Sequence, residues 1–175
     1  MEKDNPIVFL AILGKDNEPK FLKNYSSSTD LETELKIMAF SCLDFFVDKT
    51  MISRVPNSSS EKIETYLGKI SLLFTVEGQL GFYGYLTNTN HKYILVKLED
   101  KIEGGHSSDS YIKEFFKKIQ KIYIGFNLNP FMIQDNGNLD ENDKANKEFF
   151  EEQLEKKIND TVSYYQQFLS GHSDA

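Results

Sequence analysis

The sequence predicts an α+β domain in which a five-stranded antiparallel sheet lies between helices. Three observations carry this prediction. Five short segments rich in β-branched and aromatic residues are separated by turn residues, two longer segments carry apolar residues at helical spacing, and these elements follow the order β-β-α-β-β-β-α. A further helix is predicted after this set. Such an order is typical of an antiparallel sheet covered by helices.

The first two predicted strands form a hairpin. Ile7–Leu13 is a continuous apolar run between Pro6 and Gly14, which is typical of a strand buried on both faces. Residues 15–19 contain Asp, Asn and Pro, the residues that favour turns. Residues 20–25 then return as the second strand, antiparallel to the first.

The first predicted helix begins at residues 29–32, which match a capping box. Apolar residues then recur at helical spacing as far as Phe46, and the helix is predicted to end near Asp48. Because Pro, Asn and Ser dominate residues 56–60, this segment is predicted to be a loop.

Three more strands are predicted at residues 66–76, 80–87 and 93–98. Gly81 and Gly84 lie inside the second of these segments. Glycine within a strand predicts a bulge or a close approach of another element, because it leaves room where other residues carry a side chain.

The last two predicted helices follow a loop at residues 103–108, and Asp109 is expected to cap the first of them. Pro130 ends that helix, because the residue before proline disfavours helical geometry. The final helix is predicted to begin near Asp140. The apolar face of the first comprises Ile112, Phe115, Phe116, Ile119, Ile122, Tyr123 and Phe126, and that of the second Phe150, Leu154, Ile158, Val162, Tyr165 and Leu169.

Composition argues against several classes of function. The chain has 175 residues and a formal net charge of −7, most of it between Asp140 and Ala175, where nine acidic residues outnumber four lysines. An acidic chain whose only arginine is Arg54 is a poor match for nucleic acid. Cys42 is the only cysteine, so a reducing compartment fits best. No secretory signal is predicted, and no apolar run approaches the ~20 residues that span a bilayer.

The residues predict no catalytic, metal or cofactor site. Cys42 lies on the apolar side of the first predicted helix, which favours a buried core thiol over a nucleophile. The histidines are His91, His106 and His172, in a predicted turn, loop and tail, and no pair has metal-ligand spacing. We therefore expect a chain that is not an enzyme.

Two charged patterns have both a structural and a functional interpretation. Asp44 and Asp48 share a helical face and could hold a cation, but two aspartates near a helix end are more often solvated. Lys113, Lys117 and Lys121 could contact acidic lipid or a partner, although the solvated face of an amphipathic helix is the simpler interpretation. Residues alone thus predict a domain that binds other proteins.

Six short stretches, in chain order, match one known family. They are residues 10–19 (LAILGKDNEP), 42–49 (CLDFFVDK), 66–68 (YLG), 83–88 (YGYLTN), 92–93 (KY) and 129–131 (NPF). Together they resemble the sedlin-like subunits of the transport protein particle (TRAPP) complex, in the subunit 2-like branch rather than sedlin itself. The resemblance covers about residues 7–131, and its order agrees with the strands and helices predicted above.

This resemblance implies a longin-like fold and a non-catalytic adaptor or scaffold subunit of a vesicle-tethering complex in endoplasmic reticulum to Golgi transport. It implies a cytoplasmic protein, peripheral at the endoplasmic reticulum and cis-Golgi. Its partners would be other TRAPP subunits and, through the complex, a Rab-type GTPase. Asp44 matches an acidic position at which the family is sensitive to substitution, so it is expected at a protein interface. Alternatively, Asp44 caps or bonds neighbouring backbone.

Departures from the family concern two segments. Residues 50–65 form a longer, serine-rich loop than the family implies, and similarity is expected to fade after Phe131. Residues 1–139 are therefore predicted as the longin-like domain. Residues 140–175 are predicted as an acidic helical extension, packed on the domain or projecting from it, which covers a hydrophobic groove or docks a further partner.

Two alternatives stay open. Another longin-type trafficking regulator, of the SNARE-regulatory or adaptor type, would share the fold. A SNARE would need a heptad coiled coil and a tail anchor after the domain, and neither is recognised before Ala175. A small-ligand sensor would need a pocket with convergent polar groups, for example one lined by Phe82, Tyr83 and Tyr85.

Overall fold

A computed structural model describes most of the chain, namely residues 6–27, 30–52, 66–75, 78–99, 106–129 and 141–170. The chain divides into two compact units, residues 1–105 and residues 106–175. Within these described ranges, the first unit contains the β-sheet and two helices, and the second contains two long helices. The domain boundary predicted between residues 139 and 140 lies outside the described residues.

The sheet of the first unit has five strands within the described ranges. These strands are β1 (Ile7–Leu13), β2 (Pro19–Asn24), β3 (Tyr66–Phe74), β4 (Gln79–Leu86) and β5 (Lys92–Leu98). Their order across the sheet is β2-β1-β5-β4-β3, and each neighbouring pair is antiparallel. All seven residues of β1 are buried, which confirms the prediction from its continuous apolar run.

The segment predicted as one helix consists of two. Helix α1 spans Asp30–Ser41 and α2 spans Leu43–Ile52, with a turn at Cys42 between them. The Cys42 amide donates to the Met38 carbonyl at 3.0 Å, and the Phe45 amide donates to the Cys42 carbonyl at 3.2 Å. Because backbone hydrogen bonds continue through the turn, the apolar face continues too. Its buried residues are Leu35, Ala39, Cys42 and Phe46.

This face packs on one side of the sheet and forms the main core of the first unit. From the sheet the core contains Phe9, Ala11, Leu13, Leu80, Phe82, Leu86, Ile94 and Val96. The residues that alternate with these, on the other side of the sheet, are buried as well, and they include Leu10, Ile12, Tyr93 and Leu95. Burial on both faces explains why these strands show apolar runs instead of strict alternation.

The two glycines of β4 mark close approaches. A Cβ atom at Gly84 would lie 3.1 Å from Phe46 Cζ and 3.2 Å from Ile70 Cδ1. Side chains of α2 and β3 therefore both pack closely against the backbone at Gly84. A Cβ atom at Gly81 would overlap the Glu99 carboxylate. The register of β4 with β5 is regular, and the irregularities lie in β3 instead. The close-approach interpretation of these glycines is therefore confirmed.

The second unit contains α3 (His106–Asn127) and α4 (Glu141–Ser170). Residues 106–108 belong to the first turn of α3, so the loop predicted at residues 103–108 was wrong for these three. The predicted apolar faces are confirmed where side chains are described. Fully buried members are Ile112, Phe115, Phe116, Ile119, Ile158, Val162 and Tyr165.

Aromatic contacts join α3 to α4 at two levels. The rings of Phe115 and Tyr165 lie 5.3 Å apart, and those of Phe126 and Phe150 lie 6.3 Å apart. Both pairs meet edge to face, the geometry that favours interaction between ring quadrupoles. Taken with the sheet of the first unit, the chain has the α+β, longin-like fold that was predicted.

Candidate functional surfaces

The clearest exposed apolar surface of the first unit lies on α1 and α2. We call it the α1–α2 patch, and its residues are Ile37, Phe40, Asp44, Phe45, Val47 and Asp48. Its four apolar side chains are between 38 % and 61 % exposed. Steps of three and four residues place Ile37, Phe40, Asp44 and Asp48 on one stripe of the helical surface. The patch is therefore the side of these helices that faces away from the core.

The patch combines bulky apolar side chains with two carboxylates. Grouped exposed apolar residues on a folded domain mark contact surfaces, and aromatic residues are enriched where proteins bind one another. This composition is suited to docking a partner that offers apolar and basic groups.

Asp44 is exposed and lies in the first turn of α2. Among the described residues it makes no ion pair or side-chain hydrogen bond. A carboxylate in a first helical turn is favoured by the helix dipole, so a structural role at the start of α2 fits this position. Its exposure beside Phe45 fits an interface role equally well. The predicted interface role of Asp44 stays a prediction.

Cys42 is a core residue, as predicted. Its side chain is 2 % exposed. Burial raises the pKa of the Cys42 thiol to about 11, because the apolar surroundings disfavour the thiolate. The thiol therefore stays protonated at neutral pH, which is unsuited to nucleophilic chemistry.

The histidines are not brought together in the described parts of the chain. His91 lies in the turn between β4 and β5, where its Nδ1 is 3.0 Å from the Thr89 hydroxyl. His106 is the first residue of α3, and His172 lies outside the described residues. Across the described ranges, no three His, Cys, Asp or Glu side chains are grouped as a metal site would require.

The aromatic residues suggested as a ligand pocket point to opposite faces of the sheet. Phe82 belongs to the core beneath α1 and α2, whereas Tyr83 and Tyr85 alternate with it on the other face. All three are buried, and Tyr85 packs edge to face on Tyr93 at 6.0 Å. These side chains fill space in two different layers, so they do not line one cavity.

The lysine stripe of α3 has the exposure that both of its interpretations require, so both stay predictions. Lys113, Lys117 and Lys121 are all exposed. Lys118, outside this stripe, lies over the rings of Tyr164 and Tyr165, at 4.8 Å and 5.1 Å from their centroids. Neither α3 nor any other described helix combines the length and apolar character needed to cross a membrane.

Sequence reasoning missed a groove in the second unit. It lies between α3 and α4, has a volume of about 500 Å³, and contains Gly125 in its wall. A Cβ atom at Gly125 would meet nothing within 4 Å. An isolated glycine inside an otherwise helical pattern was the available signal, because such a residue costs helix stability and often has a packing or functional reason.

The chain is similar in sequence to a known family and to a curated relative. The sequence pattern of the Sedlin family matches residues 12–160. A curated relative from Dictyostelium discoideum, named trafficking protein particle complex subunit 2-like protein, is 38 % identical over 129 residues, which are 71 % of this chain and 81 % of the relative.

The family match extends further than expected. It continues past Phe131 to residue 160 and so includes the first two thirds of α4. The expectation that similarity fades after Phe131 was therefore wrong at the level of the family pattern, and most of α4 is a family feature. By the extent of this match and the identity to the relative, the chain belongs to the Sedlin family.

Proposed function

We propose that this chain is a non-catalytic scaffold subunit of a TRAPP-type tethering complex that acts in endoplasmic reticulum to Golgi transport. The observation that carries the proposal is the 38 % identity, over most of both chains, to a protein named as a subunit 2-like member of the trafficking protein particle complex. Family membership over residues 12–160 supports it.

The proposed mode of action is docking. The α1–α2 patch presents Phe40 and Phe45 to solvent beside the Asp44 carboxylate. An apolar centre with a charged rim is the usual anatomy of a protein interface, in which the charge sets orientation and the apolar groups supply affinity. We assign Asp44 to the interface with another subunit.

The proposed location follows from the proposed complex. The subunit would be cytoplasmic and reach the endoplasmic reticulum and cis-Golgi membranes through its partners. It would contact a Rab-type GTPase only through the assembled complex. Residues 140–175 would serve as the acidic C-terminal extension of the longin-like domain, within which α4 supplies the contacts to α3 described above.

Depletion of the protein in its native cell tests the transport role. The readout is the rate at which a newly made secretory glycoprotein acquires Golgi-type glycans after synchronous release from the endoplasmic reticulum. We expect slower acquisition after depletion and recovery with the re-expressed wild-type chain. Normal kinetics after complete depletion, or a delay only after the Golgi, would contradict the role in this step.

A further inference from the structure

The groove between α3 and α4 has an apolar floor and a cationic rim. Ile122, Phe126, Phe150 and Leu154 supply the apolar lining. Lys121 from α3 and Lys157 from α4 line it as well, together with Asn129 and Gln153, and the described lining residues include no acidic side chain. The groove therefore offers apolar contact, two ammonium groups and the Gln153 amide in one place.

The charge of this rim is opposite to the net charge of the chain. The chain carries a net charge of −7, and the segment that contains α4 has nine acidic residues and four lysines. Within the described part of the chain, Lys121 and Lys157 make no ion pair, and both are exposed. Two exposed lysines that make no ion pair among the described residues are suited to a negatively charged ligand.

The dimensions and lining of the groove favour a short chain segment. A volume of about 500 Å³ accommodates one or two bulky side chains. The amide side chain of Gln153 can both donate and accept, which matches the alternating groups of a peptide backbone. Lysine ammonium groups pair with single carboxylates. Arginine, whose planar guanidinium recognises phosphate with two parallel N–H groups, is not among the described lining residues.

From these features we infer that the groove binds a short peptide segment of a partner protein, in which a bulky apolar side chain is flanked by carboxylates. The apolar side chain would lie on Phe126 and Phe150, and the carboxylates would pair with Lys121 and Lys157. This site lies in the second unit, and its existence does not depend on the proposed tethering role.

Fluorescence anisotropy with synthetic peptides tests the inference. The probe is a fluorescein-labelled Asp-Glu-Leu-Phe-Asp-Glu peptide, and its matched control is Lys-Lys-Leu-Phe-Lys-Lys. Because the whole chain is acidic, non-specific attraction would favour the basic peptide. We expect the full chain to bind the acidic peptide at least about tenfold more tightly, with affinity that falls as salt rises.

Charge reversal at the rim is the decisive variant. K121E/K157E should weaken binding of the acidic peptide by about tenfold or more and improve binding of the basic one. K113E/K144E makes the same change in net charge with one lysine from each helix outside the groove, and it should leave the preference of the wild-type chain intact. Equal effects of the two double variants would overturn the assignment.

Filling the groove gives a second, uncharged test. Gly125→Leu places a side chain in open space within the groove and replaces glycine by a better helix former. We expect loss of peptide binding with an unfolding temperature that is unchanged or raised. Retained binding would contradict the inference. So would a preference for vesicles of equal parts phosphatidylcholine and phosphatidylserine that K121E/K157E abolishes, because that result would assign the rim to a lipid surface.

Discussion

The Tyr83 hydroxyl donates a hydrogen bond of 2.7 Å to the Glu99 carboxylate. The same carboxylate lies 3.1 Å from Lys69 Nζ and 3.7 Å from Lys97 Nζ. Lys97 has a side chain only 6 % exposed, so Glu99 neutralises a buried cation. Since Lys69, Tyr83 and Lys97 belong to β3, β4 and β5, this one carboxylate ties three strands together.

Removing the Glu99 carboxylate should lower the free energy of unfolding more than removing the Tyr83 hydroxyl or the Lys69 side chain. Glu99→Ala leaves Lys97 buried without its counter-charge, and we expect a loss of about 2–4 kcal/mol in the free energy of unfolding. Tyr83→Phe should cost about 1 kcal/mol, and Lys69→Ala, at the exposed end, less than about 1 kcal/mol. Urea denaturation measures all three. If Glu99→Ala lowers the free energy of unfolding no more than Lys69→Ala does, the buried Lys97–Glu99 pair makes no net contribution to stability.

The contact of Phe46 with Gly84 predicts a position intolerant of larger residues. Gly84→Val adds three carbon atoms where the first would already lie 3.1 Å from Phe46 Cζ, and we expect a loss of about 1–3 kcal/mol from overpacking. Gly125→Ala is the matched control, because it adds a methyl group in open space within a helix and should gain about 0.5–1 kcal/mol. Thermal denaturation compares the two, and similar losses in both would refute the close-approach argument.

Burial of Cys42 predicts a loss of stability at alkaline pH. Its pKa is raised from 9.0 to about 11 in the folded chain, so the folded state holds the proton more tightly than the unfolded state. The resulting stabilisation is complete below pH 9 and is lost as pH rises from 9 to 11, by up to about 3 kcal/mol.

Cys42→Ala separates this effect from the other groups that titrate at high pH. The difference in unfolding free energy between wild type and this variant should shrink between pH 9 and 11. A difference that stays constant over this range would mean that the thiol titrates normally, and hence that it is not desolvated.

The α1–α2 patch predicts a variant that fails to assemble but still folds. Asp44→Arg reverses a charge in the first turn of α2, which should cost about 0.3–1 kcal/mol through the helix dipole. If Asp44 also lies in an interface, binding of co-purifying subunits should fall about tenfold or more.

Asp30→Arg is the control for this variant. It makes the same reversal in the first turn of α1, outside the patch. We expect a similar thermal shift for the two variants but a loss of binding only for Asp44→Arg, measured by quantitative pull-down. Equal binding by both would leave Asp44 with only a helix-start role.

Elements defined by continuous apolar runs or clear periodicity could be predicted closely. The bounds predicted for β1 are those observed, because an apolar run between Pro6 and Gly14 leaves little freedom. The break at Cys42 could not be predicted, since backbone bonds through it keep the buried face in phase. The start of α3 at His106 was missed because residues 106–108 have weak helix propensity, and only the longer helix that follows extends over them.

The two candidate surfaces differ in how well they could be predicted from the sequence. Ile37 and Phe45 lie outside the apolar face of the first predicted helix, so their exposure could have been predicted from the helical period. The groove between α3 and α4 was signalled only by the isolated Gly125, because its shape depends on how two helices separated in sequence pack. Charge on its rim is equally a property of packing, since Lys121 and Lys157 lie far apart in the chain.

The central claim is membership of a tethering complex, and gentle affinity purification of the tagged protein from its native cell tests it most directly. We predict that mass spectrometry recovers other TRAPP subunits in near-stoichiometric amounts and that the tagged chain elutes with them as one large assembly in size-exclusion chromatography. Elution as a monomer, with those subunits absent, would contradict the account and reduce the family relationship to a shared fold.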